Sequence, residues 1–528
     1  MAGARVRRHP HANDALDAAE IGRARGDGDE IDDDKTKGAA AGRIASRRNR
    51  IVAVVLCVVA LTTFLLYGVR PRTPSIARAE RSIAAPGIFD DAIRLATTYM
   101  LRSVQDDGSF LYQAGIDDQG RVTRSPKYNV LRHAGAIFAL ADACRPRGGG
   151  TGWDAVPRFC AAGKDGGRFR DAIIKTAQWL EREAVTKAPS ADLYVVFKPH
   201  LSSLRDEPGG LASRKVALGG NGLGLVGMSV ANAIAPGTVP LTTLVEIGQY
   251  TIEHMIRDDG SYVSLAEPFA GHDDTLVIKS GFKSLYYPGE ASLGLLRLSK
   301  LLRRVGNDAG AAYMLAGSLR IITNLAAERQ VEGAEVPPDH WACIASAELL
   351  QQPDLSDASR TMLLRHAGQV LDVITQRMAA QFAVGMPLGV SSLATMLEAQ
   401  FAMLPELRGA RGRKGDGKGE GEGVGEGGEG LMAFGVDLRE AWCISEHVAL
   451  VLAHVQQSER PGELAGAMPH KFSLAASIGK EELIGGRAAP KITHVEPKFR
   501  IDDSQHTLSA WLSYERAQPS FRDVVCGP

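Results

Sequence analysis

An excess of charge of either sign is missing from this chain. Its 61 Lys and Arg balance 61 Asp and Glu across 528 residues, so no overall basic field argues for nucleic acid. Ready-made catalytic signatures are missing too: no Gly-x-Ser-x-Gly elbow, Walker phosphate loop or Cys-x-x-Cys pair occurs. Strand-like alternation is scarce, which leaves little material for a large sheet. Cysteine is thin. Five of the six cysteines, Cys144, Cys160, Cys343, Cys443 and Cys526, lie outside the longest apolar run and form an odd, scattered set that does not read as a disulfide framework. Cys144 and Cys160 flank a Gly-rich loop and either pair in an oxidising compartment or remain two thiols.

Residues 1–50 are polar and short of aromatics, a composition that cannot bury a core. The next segment, 51–69, reads IVAVVLCVVALTTFLLYGV. At about 1.5 Å per residue it matches the hydrocarbon thickness of a bilayer, and a single transmembrane helix is expected. Arg43, Arg47, Arg48 and Arg50 before it favour a cytoplasmic N-terminus, while Arg70, Arg72, Arg78 and Arg81 after it pull the other way. The expectation is a single-pass protein of the inner (plasma) membrane with its large domain periplasmic or extracellular. The long leading tail suits an uncleaved anchor better than a signal peptide.

From residue 86 to 518 helical periodicity recurs. Twelve helices are expected at 88–105, 129–144, 169–186, 221–234, 241–256, 289–304, 309–328, 341–351, 358–381, 390–404, 438–457 and 505–517. Two of them run into near-identical turns, Gln105-Asp-Asp-Gly-Ser-Phe110 and Arg257-Asp-Asp-Gly-Ser-Tyr262, as stacked helical hairpins would. Residues 408–430 are glycine with alternating charge, a flexible solvated insertion. The fold class is therefore all-α, an (α/α)6-type toroid behind a transmembrane helix.

Every second helix opens on unusual polar or aromatic residues. In a closed ring of hairpins these alternate helices form the inner wall, run in one direction and bring their N-termini to one mouth. Tyr128, Asn129, Arg132, His133, Asn221, Tyr287, Glu290, Asp339, His340, Trp341, Asp502, Gln505 and His506 would then share that mouth, with Glu398 about two turns down its helix. Converging helix N-termini suit an anionic ligand, Tyr287 and Trp341 offer flat faces for sugar rings, and Glu290, His133 and His506 can move protons. Capping explains Asp339, Asp502 and Asn221 equally well, and core packing explains the aromatics and histidines.

The blocks Tyr128-Asn-Val-Leu-Arg-His-Ala-Gly135, Leu218-Gly-Gly-Asn-Gly-Leu-Gly224, Tyr286-Tyr-Pro-Gly-Glu290, Pro338-Asp-His-Trp341 and Arg500-Ile-Asp-Asp-Ser-Gln-His506 resemble those of bacterial α/α-toroid proteins. The likeness is to six-hairpin glycosidases and glucuronyl C5-epimerase-like helical domains, over residues 88–518. It implies a glycan ligand, with a uronate-bearing envelope or extracellular polysaccharide handled by hydrolysis, elimination or epimerisation. On that reading His133 or Glu290 is the acid or base, Arg132 pairs with a substrate carboxylate and His506 is the second proton-transfer group.

Rival readings are a non-catalytic glycan-binding subunit of an envelope polysaccharide machinery, or a zinc-dependent toroidal transferase or cyclase. The zinc set would be His340, Cys343, Cys443 and His447, spaced to share helical faces. The familiar ligand motifs of such enzymes are absent, so no metal and no cofactor is expected. Gly222-Leu-Gly224-Leu-Val-Gly227 matches a dinucleotide fingerprint but lacks the parallel sheet that motif needs, and close helix packing accounts for it better.

Overall fold

The computed structural model describes residues 87–126, 128–144, 164–188, 193–196, 216–267, 277–278, 283–331, 336–385, 387–415, 432–456, 462–485 and 491–526. The chain divides into two compact units, Met1–Ala77 and Arg78–Pro528, and all described residues belong to the second. The expected membrane span at 51–69 lies outside them. Among the described residues no helix is long and apolar enough to cross a membrane.

The helices are α1 (Ile88–Ser103), α2 (Val130–Ala143), α3 (Lys164–Ala184), α4 (Leu218–Ile234), α5 (Leu241–Tyr250), α6 (Tyr287–Arg304) and α7 (Asp308–Arg329). They continue with α8 (His340–Leu350), α9 (Asp357–Val384), α10 (Val390–Gly415), α11 (Leu438–Gln456), the short α12 (Lys480–Gly485) and α13 (Ile501–Ala517). Helices α2, α4, α6, α8, α10 and α13 pack in that order, and α13 closes on α2. The rest of the long helices lie outside this ring, so the fold is a toroid of six helical hairpins.

Burial follows the two roles. Outer helix α1 buries Ala92, Ile93, Ala96, Tyr99 and Met100, a stripe at the three-to-four-residue spacing of one helical face. Inner helix α4 is buried continuously from Leu218 to Asn232 because neighbours cover every side. Its glycines allow that crowding. A Cβ on Gly222 would stand 2.5 Å from the Ala291 backbone nitrogen, and one on Gly294 would stand 2.3 Å from the Gly222 carbonyl. Of the Gly-x-Gly-x-x-Gly run, Gly222 brings the α4 and α6 backbones together, while Gly224 lies against Val196 and Gly227 against Ala134 of α2.

The two repeated turns have one geometry. Gly108 (φ +98°) and Gly260 (φ +83°) adopt the left-handed conformation that the Asp-Gly sequence favours. Each turn abuts the next outer helix, with Gly108 against Lys175 of α3 and Gly260 against Arg320 of α7.

Small strands lead directly into three inner helices: Val216–Ala217 into α4, Leu388–Gly389 into α10 and Lys498–Arg500 into α13. Lys498–Arg500 pairs antiparallel with Gln113–Ile116, which pairs in turn with Val122–Arg124. Leu388–Gly389 pairs with Lys471–Leu474, and Val216–Ala217 with Leu265–Glu267. These pairings anchor the chain at the end of the ring where the inner helices begin.

Three expectations change. Helix α10 does not stop at 404 but runs through Pro405 to Gly415, into the glycine tract. Leu404 and Leu407 on either side are fully buried, and their packing outweighs the hydrogen bond the proline removes. Helix α13 starts at Ile501 rather than 505, which moves His506 from the first turn to the second. The third change concerns sulfur. Cys443 is bonded to Cys526, 83 residues away, tying the C-terminal segment to α11, where Phe521 stacks on Trp442 at 4.5 Å. Cys144 is disulfide-bonded as well, while Cys160 lies outside the described residues.

Candidate functional site

The α8 start shows how the mouth is built. Asp339 caps the helix: its Oδ1 accepts from the Ala342 amide at 3.1 Å, and its Oδ2 takes the Arg329 guanidinium at 2.8 Å. Cap and ion pair are both buried, which sets His340 and Trp341 rigidly as the first helical residues. The Trp341 indole is buried against Phe138 of α2, with ring centres 6.4 Å apart. Gly289 of α6 lies against Trp341 and Ala342, where a Cβ would be 2.4 Å from the Ala342 nitrogen.

Pro288 in the first turn of α6 starts that helix, and Glu290 follows. The Glu290 carboxyl is buried, and its Oε2 has no hydrogen-bond partner. Gly219 of α4 makes the room, because a Cβ there would sit 1.9 Å from that oxygen. Burial, helped by the charge of Asp339, pushes the Glu290 pKa up to about 8. At neutral pH Glu290 is a carboxylic acid.

Three residues from three other inner helices meet within the ring: His340 from α8, Glu398 from α10 and His506 from α13. One side-chain ligand atom from each lies within 4.8 Å of the other two. Glu398 Oε2 and His506 Nδ1 are 2.8 Å apart, with Gln505 Nε2 3.2 Å from the same nitrogen. The His340 Nε2 and Glu398 Oε1 atoms are buried without partners. Burial would lower the His506 imidazolium, but the Glu398 carboxylate overturns this and holds its pKa above the usual value. Burial in turn raises Glu398, against the opposing pull of His506. Burial and the neighbouring His506 push His340 well below the imidazole range, so its ring is neutral. Tyr286 closes the group, its ring edge-on to His340 at 5.1 Å and its side chain partly open to solvent.

Other residues expected at the mouth serve the scaffold. Asn129 caps α2, its Oδ1 accepting from the Leu131 amide at 2.9 Å. The Tyr128 hydroxyl accepts from the Phe110 amide at 2.8 Å and donates to His133 Nδ1, so it holds the repeated turn. His133 Nε2 donates to the Thr176 carbonyl at 2.9 Å, and the ring stacks on Trp179 at 4.5 Å. With both nitrogens engaged and burial lowering its pKa to about 4, His133 is a neutral packing residue between α2 and α3. Asn221 does not cap α4 but lies inside it, accepting from the Val196 amide at 2.8 Å and donating to Thr251 at 3.2 Å.

Arg132 pairs with Asp502 at 3.1 Å and donates to the Tyr112 hydroxyl. Arg500 also holds Asp502, at 2.8 Å. Tyr287 packs over Gly219, and Gln505 over Gly135. The four-residue zinc set fails on sulfur: Cys443 is in a disulfide, and His340 turns to Glu398 and His506 instead.

Sequence reasoning left out Gly219, Arg329, Tyr286 and a second buried acid. Asp503 is fully buried with His470 Nδ1 at 3.3 Å and the Ser391 hydroxyl as partners. The Asp502-Asp503 pair was its visible signal, and the strand before α13 supplies the Arg500 that serves both acids.

No family model matches the chain, and neither does any curated protein. Among solved structures it is similar to the glucoamylase from Saccharomycopsis fibuligera, at 8% identity and a TM-score of 0.43, covering 85% of this chain and 99% of that one. It is also similar to an inactive variant of the alpha-1,6-mannanase of Salegentibacter sp. HEL1_6 in complex with alpha-1,6-mannotriose, at 9% identity and a TM-score of 0.31, covering 54% of this chain and 87% of that one.

Proposed function

We propose that the chain is a carbohydrate-active enzyme that hydrolyses a glycan at the mouth of the inner ring, with Glu290 as proton donor. One observation carries this reading: a buried carboxyl whose pKa burial lifts to about 8, with a bare oxygen, in a ring that also holds a hydrogen-bonded Glu398–His506 pair. A carboxyl that keeps its proton can act as general acid, and a hydrogen-bonded carboxylate–imidazole pair can act as general base. Glu290 would protonate the departing glycosidic oxygen, and the Glu398–His506 pair would take the proton from the attacking water. Tyr286 and Tyr287 at the rim supply ring faces for the sugar.

Hydrolysis is favoured over elimination or epimerisation of a uronate. Arg132, the side-chain cation expected to meet a substrate carboxylate in those reactions, is committed to Asp502 and Tyr112. The test is product release from a panel of envelope and extracellular polysaccharides, followed by mass spectrometry. Glu290→Gln should lower kcat by roughly 10²- to 10⁴-fold, the usual contribution of a positioned acid. Wild-type kcat should fall above pH 8 as Glu290 ionises. Glycan binding with no product in any digest, or full turnover by a folded Glu290→Gln protein, would overturn the assignment.

The disulfides support a helical domain facing an oxidising compartment, with 51–69 as its membrane anchor. Protease digestion of intact spheroplasts tests this, since protection of the domain would refute it.

A further inference from the structure

We propose that His340, Glu398 and His506 form a binding site for one divalent first-row transition metal ion, of the kind zinc occupies. The three side chains come from α8, α10 and α13, far apart in sequence, and the ring brings one ligand atom of each within 4.8 Å of the others. Two of those residues present buried atoms with no partner, His340 Nε2 and Glu398 Oε1. His340 is 5% exposed and Glu398 1% exposed, so water does not readily satisfy them.

The donor set selects the ion. Two imidazoles and one carboxylate suit zinc, cobalt or ferrous iron, whereas magnesium and calcium prefer oxygen shells. Three protein ligands leave one position open, as in catalytic rather than structural zinc sites. Ligand bonds of about 2.1 Å in a tetrahedron put neighbouring donors about 3.4 Å apart. The widest present separation must therefore shrink by up to about 1.4 Å, while the 2.8 Å contact between Glu398 and His506 opens slightly. Both are side-chain movements, and Gln505 beside His506 can orient that ring as an outer partner. A bound ion would replace the direct contact between Glu398 and His506 with two ligand bonds.

Metal binding is read without substrate, so it stands or falls separately from the glycan reading. The full chain, stripped with a chelator, is dialysed against Zn²⁺, Co²⁺, Mg²⁺ or Ca²⁺, and bound metal is counted by atomic emission. One equivalent of Zn²⁺ or Co²⁺ is expected, with visible Co²⁺ bands of a nitrogen–oxygen tetrahedral site and no thiolate charge transfer. His340→Gln, Glu398→Gln and His506→Gln should each weaken binding at least tenfold, while Glu290→Gln and His447→Gln leave it unchanged. Zn²⁺ should raise the wild-type Tm and not that of the three variants, and if those variants fail to fold the wild-type Co²⁺ spectrum decides. Less than stoichiometric metal, a thiolate band, preference for Mg²⁺ or Ca²⁺, or equal loss in Glu290→Gln would overturn the proposal.

Discussion

Replacing Glu290 with glutamine should change how the protein's stability depends on pH. A carboxyl has a pKa near 4.5 in the unfolded chain, and in the folded ring burial lifts Glu290 to about 8. Between those values the folded state keeps a proton that the unfolded state has released. Its contribution to stability is therefore fully present below pH 4.5 and is lost as pH rises through 8, the reverse of an ordinary ion-paired carboxylate. One proton gives a slope of about 1.4 kcal/mol per pH unit, and the shift of about 3.5 units integrates to about 5 kcal/mol, an upper bound if the site relaxes around the charge.

The Glu290→Gln side chain has no proton to lose, so the variant should gain on the wild type as pH rises. His133 at about 4 and His366 at about 3 act in the opposite direction. Their folded values are depressed, so their stabilisation is full above pH 6.5 and falls as pH drops toward those values. Both proteins carry them, and they cancel in the difference. Urea melts of the two proteins at about pH 5, 6, 7, 8 and 9 supply the comparison. The stability difference should grow by at least about 2 kcal/mol from pH 5 to 9, most steeply before pH 8. Parallel curves would refute the burial of an ionisable Glu290.

Two further substitutions examine how the mouth is held. Gly219→Ala puts a Cβ 1.9 Å from Glu290 Oε2 and 2.4 Å from the Tyr287 ring, so one of them must leave its place. A loss of about 1–3 kcal/mol in denaturant melts is expected, and an unchanged midpoint would show that α4 and α6 are less tightly apposed. Arg329→Met strands the fully buried Asp339 carboxylate and should cost about 3–5 kcal/mol. Adding Asp339→Asn in that background should recover part of the loss, since asparagine still caps α8 without a charge; no recovery would count against the ion pair.

Most of the ring was legible because its helices are long and periodic. The stripe Ala92, Ile93, Ala96, Tyr99, Met100 and the repeated Asp-Asp-Gly-Ser turns are local signals, and local signals survive in sequence. So did the direction of the inner helices, read from their polar openings, which places His340, Glu398 and His506 in one neighbourhood. Role was harder to read than place. His133 lies at the start of an inner helix as His506 nearly does, but Thr176 of α3 and Tyr128 occupy both its nitrogens. Nothing near His133 in sequence announces Thr176. The Cys443–Cys526 disulfide and the space Gly219 leaves for Glu290 are equally non-local.

The converging N-termini suggested a mouth for anions, and the charges around it argue otherwise. Helix dipoles favour an ionised acid by at most about 2 kcal/mol in partly buried settings. Glu290 nevertheless stays protonated to about pH 8, so desolvation outweighs the dipole at that point on the rim. Three of the described cations at these helix starts are engaged as well. Arg132 and Arg500 share Asp502, Arg500 also faces Asp503, and Arg329 is held by Asp339. Glu290, Glu398 and His340 instead present one neutral acid oxygen, one carboxylate oxygen and one imidazole nitrogen, each buried without a partner. That set is poor at holding a fixed negative charge and well suited to moving protons or gripping a cation. The ring's contribution is to bring such groups together while ion pairs at Asp339 and Asp502 fix the starts of α8 and α13.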